Sequence, residues 1–362
     1  MVGNLNTLKR GANNLPSLLP AGLLQARLKA ATDGLVTLRL VDSSLVSYQE
    51  AMMGSVSYAD AVNSALDRLR GTGFYLGEFF ANHGPMAAEA LATLGYCDEV
   101  SGWLDANIRH RDYRPLPDPT QPITDWQVAL GDRDRGGDWV ELFRRALAEA
   151  PWREVVRTWF PRLLPGCAGS LTHGLIRTAH AVRSLRDVDH HGELQIDELA
   201  RGLGFWATVF TPLETESGGS LDFDAAAVDR ELSELTAEYA GHYAATMPSI
   251  PIPLIHTITA PAAMRILLAE LPAELHPAGF RIIAKINREL FARFGGKLAA
   301  GGRLPGNPGT DREFTTLAAE AVDIGDEHAI KICEATMREN ALRPDPRYRA
   351  AASAALDLIR RR

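Results

Sequence analysis

The chain has 362 residues, 46% hydrophobic and 23% charged, a globular balance with ample length to bury a core. A net charge of −7 without any extended basic block argues against nucleic acid as a partner. Three widely spaced cysteines, Cys97, Cys167 and Cys333, argue for a reducing compartment and against a disulfide framework or a cysteine-based zinc site.

At the N-terminus, Lys9 and Arg10 precede LPSLLPAGLL, which loosely mimics a signal peptide. Pro16 and Pro20 break the apolar run and no small-residue cleavage site follows, so a cytoplasmic protein is expected. No apolar stretch is read as approaching membrane-spanning length, and no membrane partner is expected. GLVTLRLV (34–41) is the one fair strand candidate, and residues 1–55 differ enough in texture to be set apart as an appendage.

From there on the pattern is helical. Residues 58–71 place Ala61, Ala65, Leu66 and Leu69 on one face and close on a glycine. Pro85 fits the first turn of a helix that follows His83. Residues 138–166 read as two helices, with Pro151 at the first position of the second, and 170–200 read as helix, loop and helix. A long amphipathic helix follows 217–220, and a proline-rich apolar stretch around His256 leads into another. Gly325 separates two helices, and the last helix ends in three arginines beside its negative dipole end. Segments 109–125, 210–220 and 295–310 read as loops within this array, since the helices on both sides need partners for their apolar faces. The expected fold is all-α, with 56–362 as a single large helical domain.

Several chemistries find no motif. There is no G-x-G-x-x-G after a strand, no G-x-x-x-x-G-K-[ST], no G-x-S-x-G elbow and no H-E-x-x-H. Asp187, Asp189, His191, Gly192 and Glu198 fall at positions 1, 3, 5, 6 and 12 of a calcium-type loop. Histidine at position 5 is a poor calcium ligand, so a polar turn between helices is preferred, with Asp197 and Glu198 near the positive end of the second.

Of ten histidines, His83, His173, His256 and His328 sit among apolar or small residues. His180 shares a helix face with His173 but lies about 10 Å along the axis, too far to join it on one metal. Lys331 neighbours His328 one turn on and must be neutral or modified if it lines a metal site; a neutral amine can take up carbon dioxide as a carbamate. Taken singly, a helix-face histidine is more often a structural hydrogen-bonding residue, and such a lysine more often a solvated one.

Six motifs in series resemble the questin oxidase-like family: ANHGPMAAEAL, LGDRDRGGDWVELFRRALAEAPWREVVRTWFPRLLPG, THGLIRTAHAVRSL, ELARGLGFWA, HTITAPAA and DEHAIKICEA. The resemblance covers roughly residues 58–343, with the motifs in order. The resemblance implies an all-helical oxygenase that cleaves, or inserts oxygen into, aromatic polyketide rings such as anthraquinones in secondary metabolism. It also implies a mononuclear non-haem iron (Fe2+) held by histidines and a carboxylated lysine. Carried over motif by motif, the ligands are His83 of NHG, His173 of THG, His256 of HTIT, and His328 with Lys331 of HAIK. Arg177 and His180 are then candidates to hold a phenolate or developing oxyanion beside the metal. Trp139, Trp159, Phe205 and Trp206 are candidates for the wall of a substrate pocket. The partners are a small aromatic molecule and dioxygen. Three other functions stay open: a Baeyer–Villiger-type monooxygenase using NADPH without a catalytic metal, which lacks a dinucleotide fingerprint here; a metal-dependent hydrolase, which calls for an aspartate ligand; and a non-catalytic helical binding protein.

Overall fold

The computed structural model describes residues 56–186, 192–213, 224–246, 250–295 and 311–361. The expected appendage 1–55, its strand candidate at 34–41, and Asp187, Asp189 and His191 of the calcium-like loop lie outside them. The described chain is all-α, as the apolar periodicity requires. Helices α1 (Tyr58–Leu69), α2 (Gly84–Thr93), α3 (Glu99–Arg109) and α4 (Trp126–Ala129) are followed by α5 (Gly136–Glu149), α6 (Trp152–Leu163), α7 (His173–Arg186) and α8 (Glu193–Thr208). Then come α9 (Ala225–Thr246), α10 (Pro251–Leu268), α11 (His276–Phe294), α12 (Phe314–Ile324), α13 (Glu327–Leu342) and α14 (Pro346–Arg360). Ser57 caps α1 by accepting from the Asp60 amide, and Gly325 ends α12 in the left-handed region at φ 70°, where glycine carries no Cβ penalty.

The periodicity does not foresee a two-residue hairpin, β1 (Tyr75–Leu76) and β2 (Phe80–Ala81), turning through Gly77 at φ 58°. It leads directly into α2. Four helices form the frame of the site: α2 packs on α7, α7 on α10, α10 on α13, and α13 back on α2. Against α7 lies α8, and the two backbones touch. A Cβ on Gly174 would sit 2.5 Å from the Trp206 Cα, and one on Gly202 3.0 Å from the Thr178 Cα.

Two expectations change here. Helix α10 is long and apolar enough, by length and composition, to cross a membrane, contrary to the reading that no stretch approaches that length; 83% of it is buried inside the protein. Its neighbours α7, α9, α11 and α13 cover it, so it serves as a core helix. Trp139, Trp159, Phe205 and Trp206, read as candidates for a pocket wall, take part in the core. They are buried in the main hydrophobic cluster, where Trp139 stacks on Phe143, Trp159 meets both edge-on, and Trp206 meets Phe160 edge-on.

The α7–α8 contact generates a prediction. Gly174→Ala forces a methyl into the Trp206 backbone and is expected to destabilise the protein by about 1–3 kcal/mol. Urea unfolding of the variant beside the parent checks it, and an unchanged midpoint would mean the two helices part easily.

Candidate metal centre

Each of the four helices of the frame brings one histidine to a common point. His83 is the N-cap residue of α2. Asn82 locks the approach: its Nδ2 donates to the Gly73 carbonyl and its Oδ1 accepts from the Gly84 amide, both at 2.9 Å. His328 is the second residue of α13, and the capping carboxylate of Asp326 accepts from its backbone amide at 2.8 Å. His256 lies one turn into α10, a helix that begins at Pro251, ahead of the histidine rather than after it.

His173 opens α7, and its placement costs the most. Ser170, Leu171 and Thr172 all stand at positive φ, 49°, 53° and 67°, with no glycine among them. Left-handed residues with a Cβ cost about 1–2 kcal/mol each. This turn brings the Ser170 carbonyl against the His173 ring, which donates to it from Nδ1.

The ring nitrogens settle the protonation pattern. His173 Nδ1 faces the Ser170 carbonyl and His256 Nδ1 the Ile252 carbonyl at 3.1 Å. Carbonyl oxygens only accept, so both Nδ1 atoms carry the hydrogen and both Nε2 atoms present a lone pair when the rings are neutral. Yet His173 Nε2 lies 3.1 Å from His256 Nε2 and 2.6 Å from His83 Nε2. The His173–His256 contact therefore has no proton to share. His328 Nε2 is buried without a partner while its Nδ1 lies 3.3 Å from Asp326 Oδ1, an arrangement that also leaves Nε2 as the free nitrogen. One ligand atom from each of the four histidines falls within a group no wider than 4.8 Å.

Taking up a further proton does not readily relieve the His173–His256 contact. Burial holds His83, His173 and His256 well below the ordinary imidazole range, and the Lys331 charge pushes all three further down. Burial lowers His328 too, although Asp326 opposes the shift. The N-termini of α2, α7 and α13 add positive dipole ends at the same place. Buried imidazoles grouped this closely, two of them with lone pairs fixed inward, match the donor chemistry of a borderline divalent cation such as iron, zinc or nickel. A buried divalent charge also needs anions nearby. Asp326 supplies one. Glu327 is held by Arg111 at 2.7 Å and Asn107 at 2.9 Å, so its charge is compensated. Lys331 is buried one turn below His328, and burial lowers its pKa to about 8 against the pull of Glu327 and Asp326.

Arg177 and His180 each have a carboxylate partner from another helix. Arg177 forks onto Glu198 of α8, at 2.7 and 2.9 Å, with its Nη1 buried and unpartnered. His180 Nδ1 meets Glu89 of α2 at 2.5 Å. Neither makes a hydrogen bond to any of the four histidines. Glu198, the twelfth position of the calcium-like pattern, is committed to Arg177. Asp326, the Ser170 and Ile252 carbonyls and the strained turn escape sequence reading. Only Asp326 carries a signal, as an N-capping residue two positions before His328.

The pH dependence of the metal-free protein follows from these shifts. The unfolded chain's imidazoles take up protons near the ordinary value of 6.5, while the buried ones stay neutral to lower pH. Stability is then full above that value and falls as pH drops below it, by up to about 1.4 kcal/mol per pH unit for each histidine. Urea midpoints measured from neutral to mildly acid pH should show this fall, and His256→Gln should flatten it; a flat parent profile would contradict the buried neutral cluster. In comparisons with known proteins, no family model matches the chain and no curated protein matches it.

Proposed function

We propose that the protein is a mononuclear non-haem iron oxygenase acting on an aromatic polyketide-like ring. The observation that carries the proposal is the convergence of one ring nitrogen from each of four histidines at one point, with a readily neutralised lysine beside them. His83, His173, His256 and His328 would hold the metal, and Lys331, as a carbamate, would add an anionic oxygen donor. Bound ferrous iron supplies the chemistry of dioxygen activation.

The residues around the metal have separate tasks. Ser170, Ile252 and Asp326 orient three of the rings through their Nδ1 atoms, which fixes the nitrogen offered inward. Burial of His173 and His256, with His83 and His328 only slightly exposed, limits bulk water at the site, which strengthens the charge interactions inside. The carbamate reading solves an electrostatic problem. An ammonium at Lys331 would repel a divalent cation, whereas a carbamate, with Asp326, brings two negative charges against the metal's two positive ones. Carboxylation requires a neutral amine, and a lysine with a pKa of about 8 supplies it in useful amount near neutrality. The substrate class and the reaction come from the six-motif resemblance.

Metal analysis of protein purified without chelator tests the reading. Near-stoichiometric iron is expected in the parent, with most of it lost in Lys331→Ala and His256→Ala. Labelled bicarbonate should give a carbamate signal in the parent that Lys331→Ala lacks. Equal trace metal in all three proteins would overturn the proposal.

A further inference from the structure

The histidines stand at one end of their helices, and a different group of residues holds those helices together lower down. Glu89 lies about two turns past His83 on α2, and it meets His180 and Arg183, about two and three turns past His173 on α7. Glu334, about two turns past His328 on α13, meets the same arginine. The three helices therefore run in the same direction away from the histidines, and their charged residues form a layer beneath.

We infer that Arg183 is a positioning residue for the metal centre: by gripping Glu89 of α2 and Glu334 of α13 from α7, it sets the relative heights of His83, His328 and His173. This role presupposes that the four-histidine site is a metal centre.

The geometry is that of a clasp. Arg183 Nε donates to Glu89 Oε1 at 2.8 Å and Nη2 to Glu89 Oε2 at 2.5 Å, a two-point fork, while Nη1 donates to Glu334 Oε1. Arg183 is 1% exposed, and Glu89 and Glu334 are 3% exposed. Glu89 also accepts from the Tyr58 hydroxyl at 2.7 Å and Thr93 Oγ1 at 3.0 Å, and Glu334 from Arg338 Nε at 2.9 Å. A planar fork on a carboxylate fixes direction as well as distance.

The helices need such a device. The buried face of α2 is mostly small, with Ala87, Ala88, Ala90 and Ala92 beside Met86 and Leu91, so few side chains interlock to resist sliding. A slip of one residue moves a helix about 1.5 Å along its axis. Metal–ligand distances tolerate only about 0.2 Å. Stability alone does not account for the group, because buried ion pairs can often be replaced by apolar residues at no net cost. Register is what the fork supplies and an apolar replacement would not.

Cobalt(II) titration of the metal-free protein, followed by its visible absorption bands with helical content checked by circular dichroism, tests the clasp. The parent should bind one equivalent. Arg183→Met should keep its helical content, bind cobalt about 10–100-fold more weakly, and show altered bands. Arg183→Lys, which keeps the charge without the fork, should not restore the parent spectrum. Glu334→Gln should move affinity the same way by less. Arg312→Met, which loosens α12 from α14, should leave affinity and bands unchanged. A parent that fails to bind cobalt removes the metal centre and the clasp together. A parent that binds while Arg183→Met matches it in affinity and spectrum overturns the clasp alone. If Arg183→Met does not fold, Glu334→Gln decides: unchanged affinity and bands overturn the clasp.

Discussion

Two imidazole nitrogens facing each other with no proton between them are the constraint on which the rest of this structure depends. His173 and His256 have both given their Nδ1 hydrogens to backbone carbonyls, and their Nε2 atoms still stand 3.1 Å apart. A fold meant only to bury histidines would turn one ring around or let a water between them. This one holds the rings with a costly left-handed turn before α7 and a helix-start carbonyl in α10. Energy is thus committed to an arrangement that repels itself until a positive charge enters it. The buried lysine, the depressed imidazole pKa values and the capping carboxylate of Asp326 all bear on that one electrostatic condition.

Much of the fold was legible because its signals are local. Ser57 and Gly325 mark a helix start and a helix end by their own backbone preferences, and the elements lie where those residues place them. The hairpin at Tyr75–Leu76 and Phe80–Ala81 is two residues a side, too short for alternation to show. The turn at Ser170–Thr172 is invisible in sequence because none of its residues favours positive φ; tertiary packing imposes it.

The site divides in the same way. The apolar surroundings of His83, His173, His256 and His328 set them apart from the other histidines, and the family resemblance grouped them. Their convergence could not be read from spacing, since the rings that meet are 90 and 83 residues apart. Arg177 and His180 show the opposite limit. Their place on the helix of His173 suggested a role beside it; spacing did not show that each is also held by a carboxylate, Glu198 on the next helix and Glu89 from α2, 91 residues away from His180. The aromatic residues read as pocket walls are core, the ordinary fate of large rings at helical spacing.

Helix α10 has a consequence for how the chain reaches this state. During synthesis it leaves the ribosome well before α13, one of the helices that cover it, and at that moment it is an apolar rod of membrane-crossing length with part of its coat missing. The nascent chain must keep this segment from aggregating or being taken into a bilayer until the later covering helices α11 and α13 arrive. His256 lies within that same segment, so the centre cannot be completed while α10 is being shielded by anything other than its final neighbours. Burial of the helix and assembly of the site thus become one late event in the life of the chain.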